Sequence, residues 1–156
     1  MTQETENLHL YPKYGDEPNN VIRLMEDFGY EVVYNRPETD SDGDTYFDVL
    51  LSRDTDAPWY SAVASLQEDY RKFNYEVTKN EEKRPVPPTP YNKGIFFVLF
   101  LFGIIPAFIY VFVKGAQQGK YEVELQLYNS QIVPITIELR RAAEECRVKA
   151  AALVGR

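Results

Sequence analysis

The period of the apolar positions changes several times along the chain, and each change predicts an element. Leu8-His9-Leu10-Tyr11 suggests a short strand ahead of the turn-rich stretch Pro12 to Gly15. Val21, Leu24, Met25 and Phe28 then recur at helical spacing. Pro18 suits a first helical position and Gly29 a stop, so a short amphipathic helix is expected between them. Strand-like runs follow at Tyr30 to Tyr34 and Tyr46 to Leu51. The stretch between them, Asn35 to Thr45, holds a proline, a glycine and several acids, which predicts a β-hairpin with a long solvated loop.

Asp54, Thr55 and Asp56 before Ala57-Pro58 mark the start of a long helix running to about Glu82. Its apolar stripe is Trp59, Val63, Leu66, Tyr70, Phe73 and Val77, alternating steps of four and three. A two-stranded sheet is marginal without a cover, so the stripe is expected to pack on the hairpin and the first helix. A coiled-coil contact with a second helix is the alternative. Arg84-Pro85-Val86-Pro87-Pro88-Thr89-Pro90 then ends the helix and predicts a polyproline-like spacer. Its basic-plus-PxxP spacing also matches an SH3-type ligand, a pattern common by chance.

From Ile95 to Val113 nothing is charged, and Lys93 and Lys114 bracket the run. At ~1.5 Å per residue its nineteen residues reach about 28 Å, near the ~30 Å hydrocarbon core of a bilayer. The expectation is one membrane-spanning helix, bent near Gly103 and Pro106, with Tyr91 and Tyr110 near the interfaces. A hairpin entering and leaving one face is the less favoured reading. Its arms would be too short to cross, and its turn would expose backbone that lipid cannot satisfy.

Beyond Lys114 a heptad series runs through Tyr121, Leu125, Tyr128, Ile132, Ile135, Leu139, Ala142 and Cys146. It outlasts the strand-like alternation of Tyr121 to Leu127, so a helical tail is expected, kinked or restarted at Pro134. The fold class expected is therefore an α+β membrane protein. It has a small acidic head over residues 1–84, a spacer over 85–94, one transmembrane helix over 95–113 and an amphipathic tail over 114–156.

Charge narrows the partners. Residues 1–94 carry 19 acidic and 10 basic side chains, which disfavours nucleic acid and anionic lipid as partners for the head. The basic residues nearest the span favour a cytoplasmic N terminus, and a bacterial cytoplasmic membrane is the expected setting. No apolar leader opens the chain, and the lone Cys146 excludes an intramolecular disulfide framework.

Chemistry is sparse. Asp40, Asp42, Asp44 and Asp48 alternate like calcium ligands, but Thr45 and Leu51 stand where an EF-hand needs glycine and glutamate. With one histidine, one cysteine and no phosphate-binding loop, no catalytic group, cofactor site or His/Cys metal cluster is expected. The reading is a non-enzymatic single-pass anchor, adaptor or small subunit. Its partners would be the lipid bilayer and a protein or second copy held by the two seams. A divalent-cation sensor using the aspartate loop, or a membrane enzyme with an acid pair in the head, are the alternatives.

Overall fold

The computed structural model describes residues 2–155. They divide into two compact units, one formed by residues up to Tyr75 together with Arg140 onward, the other by Glu76–Leu139.

The first unit is an α+β layer. Strands β1 (Gln3–Leu10), β2 (Glu31–Thr39) and β3 (Thr45–Asp54) form an antiparallel sheet in the order β1-β3-β2. Leu8 pairs with Val49 and Glu6 with Leu51, so β1 is twice the length that its four apolar-rich residues suggest. Its first half is polar on both faces, because the inward positions are Glu4 and Glu6, which accept from Arg53 and Arg71 at 2.7 and 2.9 Å. β2 is an edge strand, which is why it accommodates Pro37 and an irregularity between Val32 and Tyr34. The long hairpin loop shrinks to Asp40–Asp44, since pairing continues out to Thr39 and Thr45.

Helix α1 (Pro18–Asp27) and the first part of α2 (Tyr60–Glu82) cover one sheet face. Phe28, Tyr30, Val49, Leu51 and Val63 are the largest fully buried side chains. Gly29 ends α1 at a φ of 80°, where a Cβ would lie 2.5 Å from the Trp59 ring, so the position excludes any side chain on two counts. The same core includes the fully buried Ala150, with Val154 packed against it. Both come from α5 (Val133–Val154), the last helix. Arg147 of α5 donates to Asp27 at 2.9 Å, closing the C-terminal end of α1.

The second unit corrects the membrane-spanning helix. Ile95 to Val113 is two helices, α3 (Lys93–Leu101) and the start of α4 (Ile104–Leu127), which pack side by side. Gly103, at φ 131° and ψ 155°, a conformation open to glycine, is the link that reverses the chain. Pro106 falls in the first turn of α4, where backbone N–H groups have no helical partner, so it starts a helix and bends none. Among the described residues no helix is long and apolar enough to cross a membrane. The single-pass layout, with N terminus and tail on opposite faces of a bacterial membrane, is overturned for a second reason. Residues 140–155 complete the core of residues 2–75, so both lie on one side.

Helix continues from α4 through a π-helical turn at Tyr128–Ile132 into α5. The wide turn sits just before Pro134, whose ring would crowd the carbonyl four residues back in a regular α-helix. Past it, two positions of the stripe move by one residue. Tyr128, Thr136, Ala143, Cys146 and Ala150 are buried, whereas Ile135 is 54% exposed and Ala142 only half-buried. Cys146 is covered within its own chain, and burial and the nearby Asp69 push its thiol up. Of the expected seam, Tyr128 and Cys146 are buried and the other positions are half-buried or, at Ile135, exposed.

Leu51→Ala should destabilise the first unit by about 2 to 5 kcal/mol, because a fully buried leucine leaves a cavity. Ile135→Ala, which the heptad reading makes equally costly, should change the denaturation midpoint little. Equal losses at both positions would show that the π-helical turn does not shift the stripe.

Candidate functional site

Two features stand apart from ordinary core packing: the α3–α4 hairpin and a buried charge cluster under the sheet. The hairpin begins with Asn92, whose side-chain carbonyl accepts from the backbone N–H of Gly94 at 2.9 Å and of Ile95 at 3.3 Å. Its two arms face each other through half-buried Phe96 and Leu99 on α3 and through Ala107, Tyr110 and Lys114 on α4. Ala107 is 1% exposed, and its methyl lets the helices approach closely.

The base of the hairpin is polar and clasped. Lys114 donates to the Thr89 hydroxyl at 2.7 Å and to its carbonyl at 3.3 Å, while the Asn92 backbone N–H donates to the Tyr110 hydroxyl at 3.2 Å. Tyr91 packs between Tyr110 and Phe96, with ring centroids at 5.6 and 5.9 Å. The tip is the reverse. Phe102 is 82% exposed and Leu101 76%, and thirteen large apolar side chains between Ile95 and Val113 are exposed. The backbone at the turn is partly satisfied, since Phe102 N–H donates to the carbonyls of Leu99 and Phe100 and Gly103 N–H to that of Phe100. Pro106 removes one more donor.

An exposed apolar surface of this extent marks a contact with lipid or protein. Its shape is specific. The nine residues of α3 and the apolar start of α4 each rise roughly 14 to 15 Å at ~1.5 Å per residue. That is half of the ~30 Å hydrocarbon core.

Under the sheet, Arg53 on the central strand is 4% exposed. Its Nε donates to Glu4 at 2.7 Å, its Nη1 reaches the Phe28 carbonyl at 3.3 Å, and the guanidinium lies 4.5 Å from the Tyr30 ring and 4.9 Å from that of Tyr60. Tyr60 adds a hydrogen bond to Glu4 at 3.1 Å. Burial pushes Glu4 up, but the Arg53 hydrogen bond and charge, with the tyrosine hydroxyls, outweigh it and hold the carboxyl below its ordinary range. Burial pushes Tyr30 up to about 12, against the pull of Arg53. The cluster ties β1 to the helical layer. Sequence periodicity cannot find it, because an arginine in a strand run reads as surface.

The aspartates of the β2–β3 turn do not converge. Asp40 accepts from the backbone N–H of Asp42 at 3.0 Å and of Asp44 at 2.9 Å, which makes it a turn-forming residue. Asp44 pairs with Lys13 at 2.7 Å, and Asp48 lies on β3, 3.4 Å from His9 Nε2. Among the described residues no group of three or more histidine, cysteine, aspartate or glutamate side chains is placed to hold a metal ion.

The two seams are placed differently from each other. Trp59, Val63, Leu66 and Tyr70 join the core of the first unit, and Val77, near the end of α2, is buried. On the tail, Tyr121, Leu125, Ile132 and Leu139 are half-buried. A concavity of about 650 Å³ beside the π-helical turn is lined by Val123, Gln126, Leu127, Asn129 and Ser130, and holds no titratable side chain.

Comparison with known proteins adds no assignment: no family model, curated protein or solved structure matches the chain.

The buried cluster makes stability sensitive to alkali. In the folded state Tyr30 holds its proton to about pH 12, whereas in the unfolded chain it ionises near its ordinary value of 10. Its contribution is therefore fully present below pH 10 and is lost as pH rises toward 12. The melting temperature should fall across that window, and Tyr30→Phe should flatten the fall. An unchanged alkaline slope in Tyr30→Phe would place the titration elsewhere.

Proposed function

We propose that the α3–α4 hairpin is a monotopic lipid anchor. It enters one leaflet, turns at Gly103 and leaves by the face it entered, holding the α+β unit on that same side. The observation that carries this reading is the pairing of an apolar, uncharged tip with a polar, clasped base.

The energetics favour insertion. Taking a large apolar side chain out of water contributes about 1.5 to 3 kcal/mol when complete, so a dozen half-exposed ones total on the order of 20 kcal/mol. The few backbone groups left open at the turn cost several kcal/mol each. Burial wins by a clear margin, because Phe102 and Gly103 already donate within the turn. At the base, Tyr91 and Tyr110 supply rings with polar tips, which suit the water–lipid boundary. Lys93 and Lys114 flank the apolar stretch and keep their charges at that level. The role this supports is anchorage: a fixed place at a lipid surface for the α+β unit.

The test uses the full chain mixed with preformed phosphatidylcholine vesicles and floated on a density gradient. The chain should float and resist alkaline carbonate. Phe102→Asp, at an exposed tip position that leaves the fold intact, should weaken partitioning by about 3 kcal/mol, roughly a hundredfold. Single cysteines at Val86 and Gln117, one on each side of the hairpin, should both react with an impermeant maleimide added outside the vesicles. Protection of one and not the other would refute the return of the chain to the face of insertion.

A further inference from the structure

We infer that the hairpin needs only one phospholipid leaflet, so that it also inserts into a phospholipid monolayer covering a neutral-lipid phase. The inference rests on the anchoring reading above and names a surface that a membrane-spanning segment does not accept.

A spanning helix requires water on both sides, because its flanking polar residues need a headgroup layer at each end. The hairpin places every such group at one end. Thr89, Asn92, Tyr110 and Lys114 form the clasped base, and no charge occurs from Gly94 to Val113. At the opposite end Leu101, Phe102 and Ile105 are exposed by 76, 82 and 73%, and none carries a side-chain polar atom that would seek a second aqueous surface. The reach of each arm, roughly 14 to 15 Å, is that of one acyl layer, so the tip ends where the monolayer's chains meet the oil. The turn also suits a medium without water, since its Phe102 and Gly103 N–H groups donate to the Leu99 and Phe100 carbonyls.

The experiment compares recovery of the full chain on triolein droplets coated with phosphatidylcholine and on phosphatidylcholine vesicles of equal phospholipid surface. Recovery on droplets at half the vesicle value or more supports the inference, and recovery below half overturns it while leaving the anchor intact. Failure on both surfaces overturns the anchor itself. Phe102→Asp should reduce recovery on both by roughly tenfold or more, with Trp59 fluorescence unchanged as the control for folding. Droplet binding that survives this substitution would place the contact outside the hairpin and overturn the inference.

Discussion

Ala150, with no exposed surface, packs in the core that Val49, Leu51 and Val63 begin. The last turns of the chain therefore finish a unit whose sheet and first helices come from the first 75 residues. Everything between must go out and return. That constraint decides the fate of the apolar stretch more strongly than its composition does. A nineteen-residue uncharged run is long enough to cross a bilayer once, but one crossing would leave α5 on the far side from the core it completes. A return requires either a second crossing or a turn inside the stretch. Gly103 supplies the turn.

The signals for that turn are present in the sequence and admit two readings. Glycine followed three residues later by proline marks a kink when the helix on both sides is continuous, and a hairpin when it is not. Hydropathy is blind to the difference, since both arms are equally apolar. The deciding information is the long-range packing of Ala150 and Val154, about a hundred residues or more from Gly29 and the sheet. Local elements were easier to read. Pro18 and Gly29 frame α1, and the Asp54 to Asp56 start signal and the Pro85 stop frame α2, because caps and prolines act on the nearest turn. Strand β1 was legible only over Leu8 to Leu10, where both period and composition point the same way.

The tail shows a subtler failure of periodicity. A heptad count assumes 3.5 residues per turn throughout, and one π-helical turn at Tyr128–Ile132 inserts an extra residue into that count. Positions before the turn keep their phase, so Tyr128 is buried as the count expects. After it Ile135 lies outward and Thr136 inward, and Ala143 is buried more deeply than Ala142, while Leu139 and Cys146 keep the inward places that the count gives them. Thr136 offsets its burial by donating its hydroxyl to the Ile132 carbonyl at 2.9 Å, a bond that lies next to the wide turn. Pro134 is the visible cause in sequence, but whether a proline kinks a helix or widens the turn before it depends on what the flanking helices must reach.

Arg53 shows the same dependence from the polar side. A guanidinium under a sheet is costly unless it is paired, and here Nε donates to Glu4 of β1, Nη1 to the carbonyl of the residue after α1, and the Tyr60 ring at the start of α2 faces the cation. Glu4 alone does not account for its burial, since Tyr30 and Tyr60, which hydrogen-bond the carboxylate, also face the guanidinium with their rings. The cluster is therefore a joint product of four segments, and its sequence trace is only an acid at one position of β1 and an arginine at the opposite position of β3. Because Glu4 faces Arg53 across the pairing, a shift of β1 by one residue would turn that carboxylate to the outer face and leave the cation unpaired. The pair of a buried arginine and a part-exposed glutamate thus fixes the register of a strand whose own residues, mostly polar, specify it weakly. In that register Leu8 and Leu10 lie opposite Val49 and Phe47, and the sheet presents one apolar face for α5 to close.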